Sequence, residues 1–563
     1  MPEQVINTLR EHRQHRLADY IDSQQSRIDL SLLQQDLEHI NWDQLDQLIQ
    51  QFVLHAPTPE LPPELEPAPV IDLADSLNRF PNAVEVGREH LRRGKVAAFT
   101  VAGGQGSRLG FNGPKGAVPY VPATNRSLFE LFAMMIQRAG HLYQVTINWF
   151  IMTSRENDEA TRSFFKANSN FGLTSDQLHF IQQGMLPVVD HTGNLLVNGD
   201  NRLTLAPDGH GGSIQAMHSH GALTRMRECG VDTISYFQVD NPLVQPFDPA
   251  FIGLHVLTSS EMSTKVTAKA HDHERVGNVC HANGKTTVIE YSEFPEALCE
   301  KRNQHGNRLF DAGNLAIHLM DRSFVERLTE SGLKLPFRRA DKKVPFLNEQ
   351  GVIENPDNAN AIKFETFVFD ALPLAANPLV YRARREDEFA PVKNAEGQDS
   401  LLTSRQAMAT RSRQWLADAG EHWEHALSRH GEPVFLLPSF ALAADDISPI
   451  PSADEADIIL KEATITATTS KTDGPMTSPT AARPFGGPDS AVPHSELPSS
   501  VSPSSELPGS ESPNSALPSS ELPSSELPAE NSPAANTHTD DTHTDDTRSA
   551  DKPETYRTII ELT

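Results

Sequence analysis

At 563 residues, 38% of them hydrophobic and with a formal charge of −27, the chain is long enough for a large catalytic body but too polar to be folded throughout. Twenty acidic against six basic residues from Asp446 onward place −14 of that charge in the last fifth of the chain. This balance argues against nucleic acid and membrane surfaces as partners, since both attract cationic proteins.

Cys229, Cys280 and Cys299 form no C-x-x-C pair and no cluster at zinc spacing, so reduced thiols in a cytoplasmic protein are expected. The start, "MPEQVINTLREHRQHRLADYI", lacks a basic segment followed by an apolar core, and no apolar run reaches spanning length.

Residues 1–60 carry apolar positions at helical spacing ("VINTLREHRQHRLADYI", "LSLLQQDLEHI", "LDQLIQQFVL") and predict a helical region. The six prolines of "APTPELPPELEPAPV" predict a stiff connector over 61–94, leading into the core. From 95 to 395, apolar strands alternate with amphipathic helices: "KVAAFTV", "SLFELFAMMIQRAGHL", "INWFIMTS", "DEATRSFFKAN", "HFIQQGMLPVV", "GSIQAMHSHGALTRM" and "TISYFQVDN". That pattern predicts an α/β domain, a largely parallel sheet flanked by helices, whose ligands bind beyond the carboxyl ends of the strands. Residues 396–444 form a small C-terminal segment.

From 445 the composition turns to irregular "SSELP" units and "THTDDTHTDDT", a disordered acidic tail whose partner the sequence does not name. Its more apolar end, "TYRTIIELT", is open to two readings, a short docking motif or an inert terminus.

The stretch "FTVAGGQGSRLGFNGPKGAVPY", residues 99–120, packs six glycines around Arg108 and Lys115 just after a strand. Bare backbone there forms a nest of N–H groups suited to a polyphosphate. A Walker loop needs a hydroxyl residue after its lysine, but Lys115 precedes Gly116. A dinucleotide fingerprint needs tighter glycine spacing than "GQGSRLG" offers.

"VAGGQGSRLGFNGPKG" resembles instead the loop of nucleoside-diphosphate-sugar pyrophosphorylases, in particular the UDP-N-acetylhexosamine and UDP-sugar pyrophosphorylase family. The resemblance continues in order through "WFIMTS", "FIQQGMLP", "APDGHGG", "VDNPLVQPFDPAFIG", "KVTAKAHDHERVGNVC", "VIEYSEF", "AGNLAIH", "IKFETFVFD" and "REDEFAPVKNA", covering about residues 95–410. It implies a Rossmann-like (GT-A-like) nucleotidyltransferase fold with a mixed sheet. The implied reaction is attack of a sugar 1-phosphate on the α-phosphorus of UTP, giving UDP-sugar and pyrophosphate with Mg²⁺ as cofactor.

Carried over by position, the resemblance places Val101, Ala102, Gly103 and Gly104 against the nucleotide, and Gln183 and Gly209 against the uracil. Arg108 and Lys115 would meet the triphosphate, and Asp240 would meet the metal. Lys363 would face the α-phosphate and Lys393 the sugar phosphate, while Glu290, Tyr291 and Asn314 would bind the sugar. Blander roles stand beside these: a helix cap for Asp240, solvated surface for the lysines, a strand pair for Glu290 and Tyr291. "RARREDEF", residues 382–389, reads as a salt-laced structural run.

The family's N-acetylhexosamine members have Asn where this chain has His210, and the histidine form is similar to UDP-glucose pyrophosphorylases. The expected sugar is N-acetylglucosamine 1-phosphate, with glucose or galactose 1-phosphate as the alternative. A non-catalytic UDP-sugar-binding adaptor and an NAD-dependent dehydrogenase are the rival classes.

Overall fold

The computed structural model describes residues 3–460 apart from 25–28, 57–61, 123, 331, 333–334, 431–432, 449 and 451, together with 558–560. The rest of the acidic tail lies outside the described residues. The strands Val96–Val101, Trp149–Thr153, Leu178–Gln182 and Thr233–Gln238 are short apolar runs, and they pair in parallel as the alternation predicts. Ala312–Asp321 then inserts antiparallel between Thr233–Gln238 and Met262–Ala268, which makes the sheet mixed. Eleven strands belong to it.

Both faces of the sheet are buried, and successive side chains divide between them. Val96, Ala98, Trp149 and Ile151 enter one core, while Ala97, Phe99, Phe150 and Met152 enter the other. The first core is closed by helix Leu128–Tyr143, whose start is capped by Ser127 Oγ accepting from Glu130 N at 3.2 Å. Its Phe129 and Phe132 are fully buried, each contributing roughly 1.5–3 kcal/mol of apolar transfer energy.

The proline-rich connector does more than link. Leu65–Pro67 pairs with Asn278–Ala282 and Val70–Asp72 with Leu379–Arg382, so the segment adds strands at the margin of the sheet. A margin tolerates Pro67 and Pro69, because a missing donor costs nothing on an unpaired side.

The N-terminal helices Glu3–Glu11, His15–Gln24, Ser31–Glu38 and Trp42–Ile49 share a core with Val189, Leu195, Val197, Leu203, Ile362 and Phe364. They therefore pack behind the strand Ala361–Thr366. With Ile362 and Phe364 turned into that core, strand alternation turns Lys363 and Glu365 to the opposite face. The C-terminal segment forms helices Leu401–Asp418 and Glu421–His430 and strand Val434–Leu436. Described structure runs past the expected boundary at 445: residues 453–460 are helical, with Ala456 and Leu460 buried among Trp415, Trp423 and Ile447. Thr558–Ile560, within the apolar terminus, runs parallel to Val434–Leu436.

Asp36 fastens the helical region. Its buried carboxylate accepts from Arg202 Nη2 at 2.6 Å and Nε at 3.0 Å, from Arg155 Nη2 at 3.3 Å and from Leu203 N at 3.2 Å. Burial alone would raise its pKa, but Arg202 and Arg155 outweigh burial and hold it below the usual carboxylate range. Asp36→Ala should cost about 3 kcal/mol in urea denaturation, because it strands Arg202 and a backbone donor. The wild-type advantage should be complete above the unfolded carboxylate pKa and fade as pH falls through the depressed folded value; equal denaturation midpoints at neutral pH would remove Asp36 from this role.

Candidate functional site

The glycine-rich segment leaves the strand Val96–Val101 and folds back on itself. Lys115 N donates to Gly104 O at 3.0 Å, and Gly106 N donates to Gly113 O at 2.8 Å. Asn157 stitches the loop to the next strand end, with Nδ2 on Ala102 O at 2.8 Å and Gly104 O at 3.2 Å and Oδ1 accepting from Ser154 N at 2.8 Å. A Cβ on Gly116 would lie 2.3 Å from the Phe129 ring, so only glycine lets the loop press on helix Leu128–Tyr143. Val101, Ala102, Gly103 and Gly104 thus sit at the strand's carboxyl end. Arg108 stands on the exposed turn Ser107–Leu109, its side chain without an ion pair or hydrogen bond among the described residues.

Opposite this loop, Asp240 follows the strand Thr233–Gln238. Its Oδ2 lies 3.6 Å from Lys115 Nζ, with both side chains largely shielded. Asp240 O accepts from Val392 N at 2.7 Å, which sets Lys393 beside it. The next residue, Asn241, is buried and grips the same segment from both sides: Nδ2 donates to Glu388 O at 2.7 Å, and Oδ1 accepts from Ala390 N at 3.2 Å. Lys393 N donates to Asp399 O at 2.7 Å. Burial raises the Asp399 carboxyl, Lys393 offsets part of that, and Asp240 is close enough to contribute.

The third wall is built from "QQG" and "PDGHGG". Gln183 Nε2 donates to Gly209 O at 2.7 Å, and a Cβ on Gly103 would come within 3.0 Å of Gln183 Oε1. Gly209 has φ +84°, and a Cβ there would fall 2.3 Å from Thr366 O, a double demand for glycine. Thr366 N donates to Asp208 O and Gly211 N to Thr366 O, both at 2.8 Å, so this turn is tied to the strand that carries Lys363.

His210 stacks on Phe367 at 5.0 Å and 8°, and its Nδ1 accepts from Val368 N at 3.2 Å. Burial, then Arg338, lower the imidazole to about 4, so the ring is neutral at pH 7 and carries its proton on Nε2. Arg338 lies over the Phe367 ring at 5.1 Å and pairs with Glu293 and Asp370. Burial raises Glu290, with Arg338 and Lys393 among the charges acting on it. Asn314 is buried, its Oδ1 accepting from Ala316 N at 3.1 Å. Tyr291 is 46% exposed.

Hydrogen bonds, ion contacts or shared electrostatics thus link the loop backbone, Lys115, Gln183, Gly209, His210, Asp240, Glu290 and Lys393 into one cleft, with Lys363 on the strand tied to it. Arg108 and Tyr291 are exposed, without such links among the described residues. Sequence reasoning missed Asn157, Asp208, Asn241, Arg338 and Asp399. The "VDNP" and "PDG" motifs contain two of these, but nothing local distinguishes a clasp from a turn.

Asp240 offers a hard oxygen at a strand end facing the phosphate-type nest, which suits a divalent cation that takes its other ligands from phosphate and water. The cluster His273, Glu296 and Glu300, also spaced for an ion, is exposed and includes none of these residues.

Asp208 is held by burial at a pKa of about 7, with a Gln183 hydrogen bond pulling the other way. Its folded pKa is raised, so its stabilising contribution is present below the unfolded value and is lost as pH rises toward 7. Urea denaturation of Asp208→Asn should therefore gain on wild type between pH 4 and pH 7; a pH-independent difference would mean that Asp208 does not titrate in this window.

The sequence profile of the UTP–glucose-1-phosphate uridylyltransferase family matches residues 47–438. The chain is 35% identical over 416 residues to the human UDP-N-acetylhexosamine pyrophosphorylase-like protein 1, covering 71% of this chain and 82% of that one. With the UDP-N-acetylglucosamine pyrophosphorylase of Saccharomyces cerevisiae it shares 33% identity over 390 residues, 67% of this chain and 80% of that one. The crystal structure of the uridine diphosphate N-acetylglucosamine pyrophosphorylase from Trypanosoma brucei has the same fold, with a TM-score of 0.66 at 23% identity over 78% of this chain and 93% of that one. With a profile match across most of its length and relatives so broadly covered, the chain belongs to the UTP–glucose-1-phosphate uridylyltransferase family and, within it, to the UDP-N-acetylhexosamine pyrophosphorylase group.

Proposed function

We propose that the chain transfers uridylyl from UTP to a sugar 1-phosphate, N-acetylglucosamine 1-phosphate first, releasing pyrophosphate. The observation that carries this is the meeting of Lys115, Asp240 and the Lys393 segment at one sheet end, beside the Gln183–Gly209 pair. The names of the curated relatives support the choice of sugar.

In this reaction the sugar-phosphate oxygen attacks the α-phosphorus, and the bond to the β-phosphate bridging oxygen breaks. The nucleophile is already ionised at neutral pH, so the protein needs no general base. Its task is to align two anions and offset growing charge. Gly103 leaves room for the uracil beside Gln183, and Gly209 presents backbone to it. Lys115, with Arg108 at the loop tip, holds the triphosphate and the departing pyrophosphate. Lys363 meets the α-phosphate and Lys393 the incoming phosphate. Asp240 would hold a Mg²⁺ ion, which would supply positive charge to offset that of the phosphates.

Glu290, Tyr291 and Asn314 hold the sugar. His210 presents a neutral Nε2–H donor rather than the amide of Asn, and so acts on the choice between an acetamido and a hydroxyl substituent. A reducing, cytoplasmic setting fits the free thiols Cys229, Cys280 and Cys299.

Purified chain with UTP and Mg²⁺ should release pyrophosphate on adding N-acetylglucosamine 1-phosphate; no turnover with that sugar or with glucose or galactose 1-phosphate would refute the activity, and UDP-sugar binding without turnover would favour the adaptor. Lys115→Ala should lower kcat/KM by about two to three orders of magnitude with an unchanged melting temperature. Retained activity would take Lys115 out of the mechanism. His210→Asn should shift the kcat/KM ratio of the acetylated over the plain sugar by about tenfold or more, whereas a constant ratio would leave sugar selection to other residues.

A further inference from the structure

A second cavity, about 1150 Å³ in volume, is lined by none of the residues placed above on nucleotide, sugar or metal. Its apolar wall includes Val84, Met135, Leu142, Tyr381, Leu436 and Leu442. Into it also come Arg88 of helix Ala83–Arg92 and Arg138 of helix Leu128–Tyr143. Neither arginine side chain has an ion pair or hydrogen bond among the described residues, and Arg138 Nε is sealed from solvent without a partner. The other arginines here are engaged: Arg92 with Glu85, Arg382 with Asp311, Arg384 with Asp387, Arg385 with Glu274, and Arg411 with Leu243 O and Asp387 O.

The lining carboxylates are mostly engaged as well. Asp248 and Glu388 both hold Lys265, Asp387 accepts from Trp415 Nε1, Asp446 accepts from Leu442 N, and Asp72 accepts from Asp75 N. Glu386 and Asp445 are the remaining two, and both are exposed. Two guanidinium groups without an ion pair or hydrogen bond among the described residues, beside an apolar wall in a cavity of this size, match the bipolar demand of a small organic anion.

We propose that this cavity is a second ligand site, for an organic molecule with an aromatic or aliphatic body and a carboxylate, phosphate or sulfonate that Arg88 and Arg138 bind. The site adjoins the cleft through the segment that leads to Lys393: Tyr381 and Glu388 line the cavity, and the chain continues from Glu388 through the Asn241 clasp to Lys393. A ligand here touches the support of a cleft lysine without occupying the cleft. The proposal does not depend on which sugar, or whether any sugar, is turned over.

The probe is 8-anilino-1-naphthalenesulfonate, an aromatic sulfonate read by fluorescence on the full chain. One saturable site is expected, weakened about tenfold or more by Arg88→Ala with Arg138→Ala, as for loss of charge-assisted hydrogen bonds. Val84→Trp should fill the chamber and abolish binding; if that variant melts early, Leu442→Trp, also on the lining, replaces it. Saturating UTP should not displace the probe, and Lys115→Ala should bind it as wild type does. Unsaturable binding, unchanged affinity in the arginine variant at wild-type melting temperature, or displacement by UTP would each overturn the assignment.

Discussion

Asn241 ties the two halves of the cleft together, and the rest of the site depends on that tie. One amide, buried just past the strand Thr233–Gln238, holds Glu388 O and Ala390 N, so a segment 147 to 149 residues away in sequence is fixed beside Asp240. The tie is reinforced below by Lys265, which is fully buried and bridges Asp248 and Glu388. Breaking such a buried pair costs about 3–5 kcal/mol, because the surviving charge is left unpaired in a poor solvent. Arg411, also buried, donates to Leu243 O and Asp387 O and closes the same knot from helix Leu401–Asp418.

Electrostatics then depends on placement rather than on total charge. The chain before Asp446 is acidic overall, yet surface charges beyond about 8 Å are screened at physiological salt. Partly shielded lysines near a phosphate act at close range, where a unit pair at 4 Å is worth about 4 kcal/mol at an effective dielectric of 20. Lys115 is pinned through its own backbone to Gly104 and Lys393 to Asp399, and Lys363 is backed by the N-terminal helices through Ile362 and Phe364. Each cation rides on a rigid element, so little reorganisation remains when anions arrive.

Much of this was legible in the chain itself. Apolar runs ending in "AGGQG" and "VDN" give parallel strands and their functional ends, because strand burial and turn chemistry are local properties. "RARREDEF" also follows its local reading, laced by Arg382 to Asp311 and Arg385 to Glu274. What was not legible depends on distant partners. The strands at Leu65–Pro67 and Val70–Asp72 are hidden by prolines that only a sheet margin accepts. Asn157, Asn241 and Asp399 look like ordinary turn residues until the fold brings their partners to them. The helix over 453–460 finds its reason in Trp415 and Trp423, some 30 to 45 residues earlier.

The most direct measurement of the central claim is a crystal structure of the chain soaked with UTP and Mn²⁺, with the ion located by its anomalous scattering. The account predicts the ion on Asp240, in contact with the phosphates, and Lys115 and Lys363 within salt-bridge distance of the triphosphate. A triphosphate bound outside the cleft, or an ion held without Asp240, would contradict it.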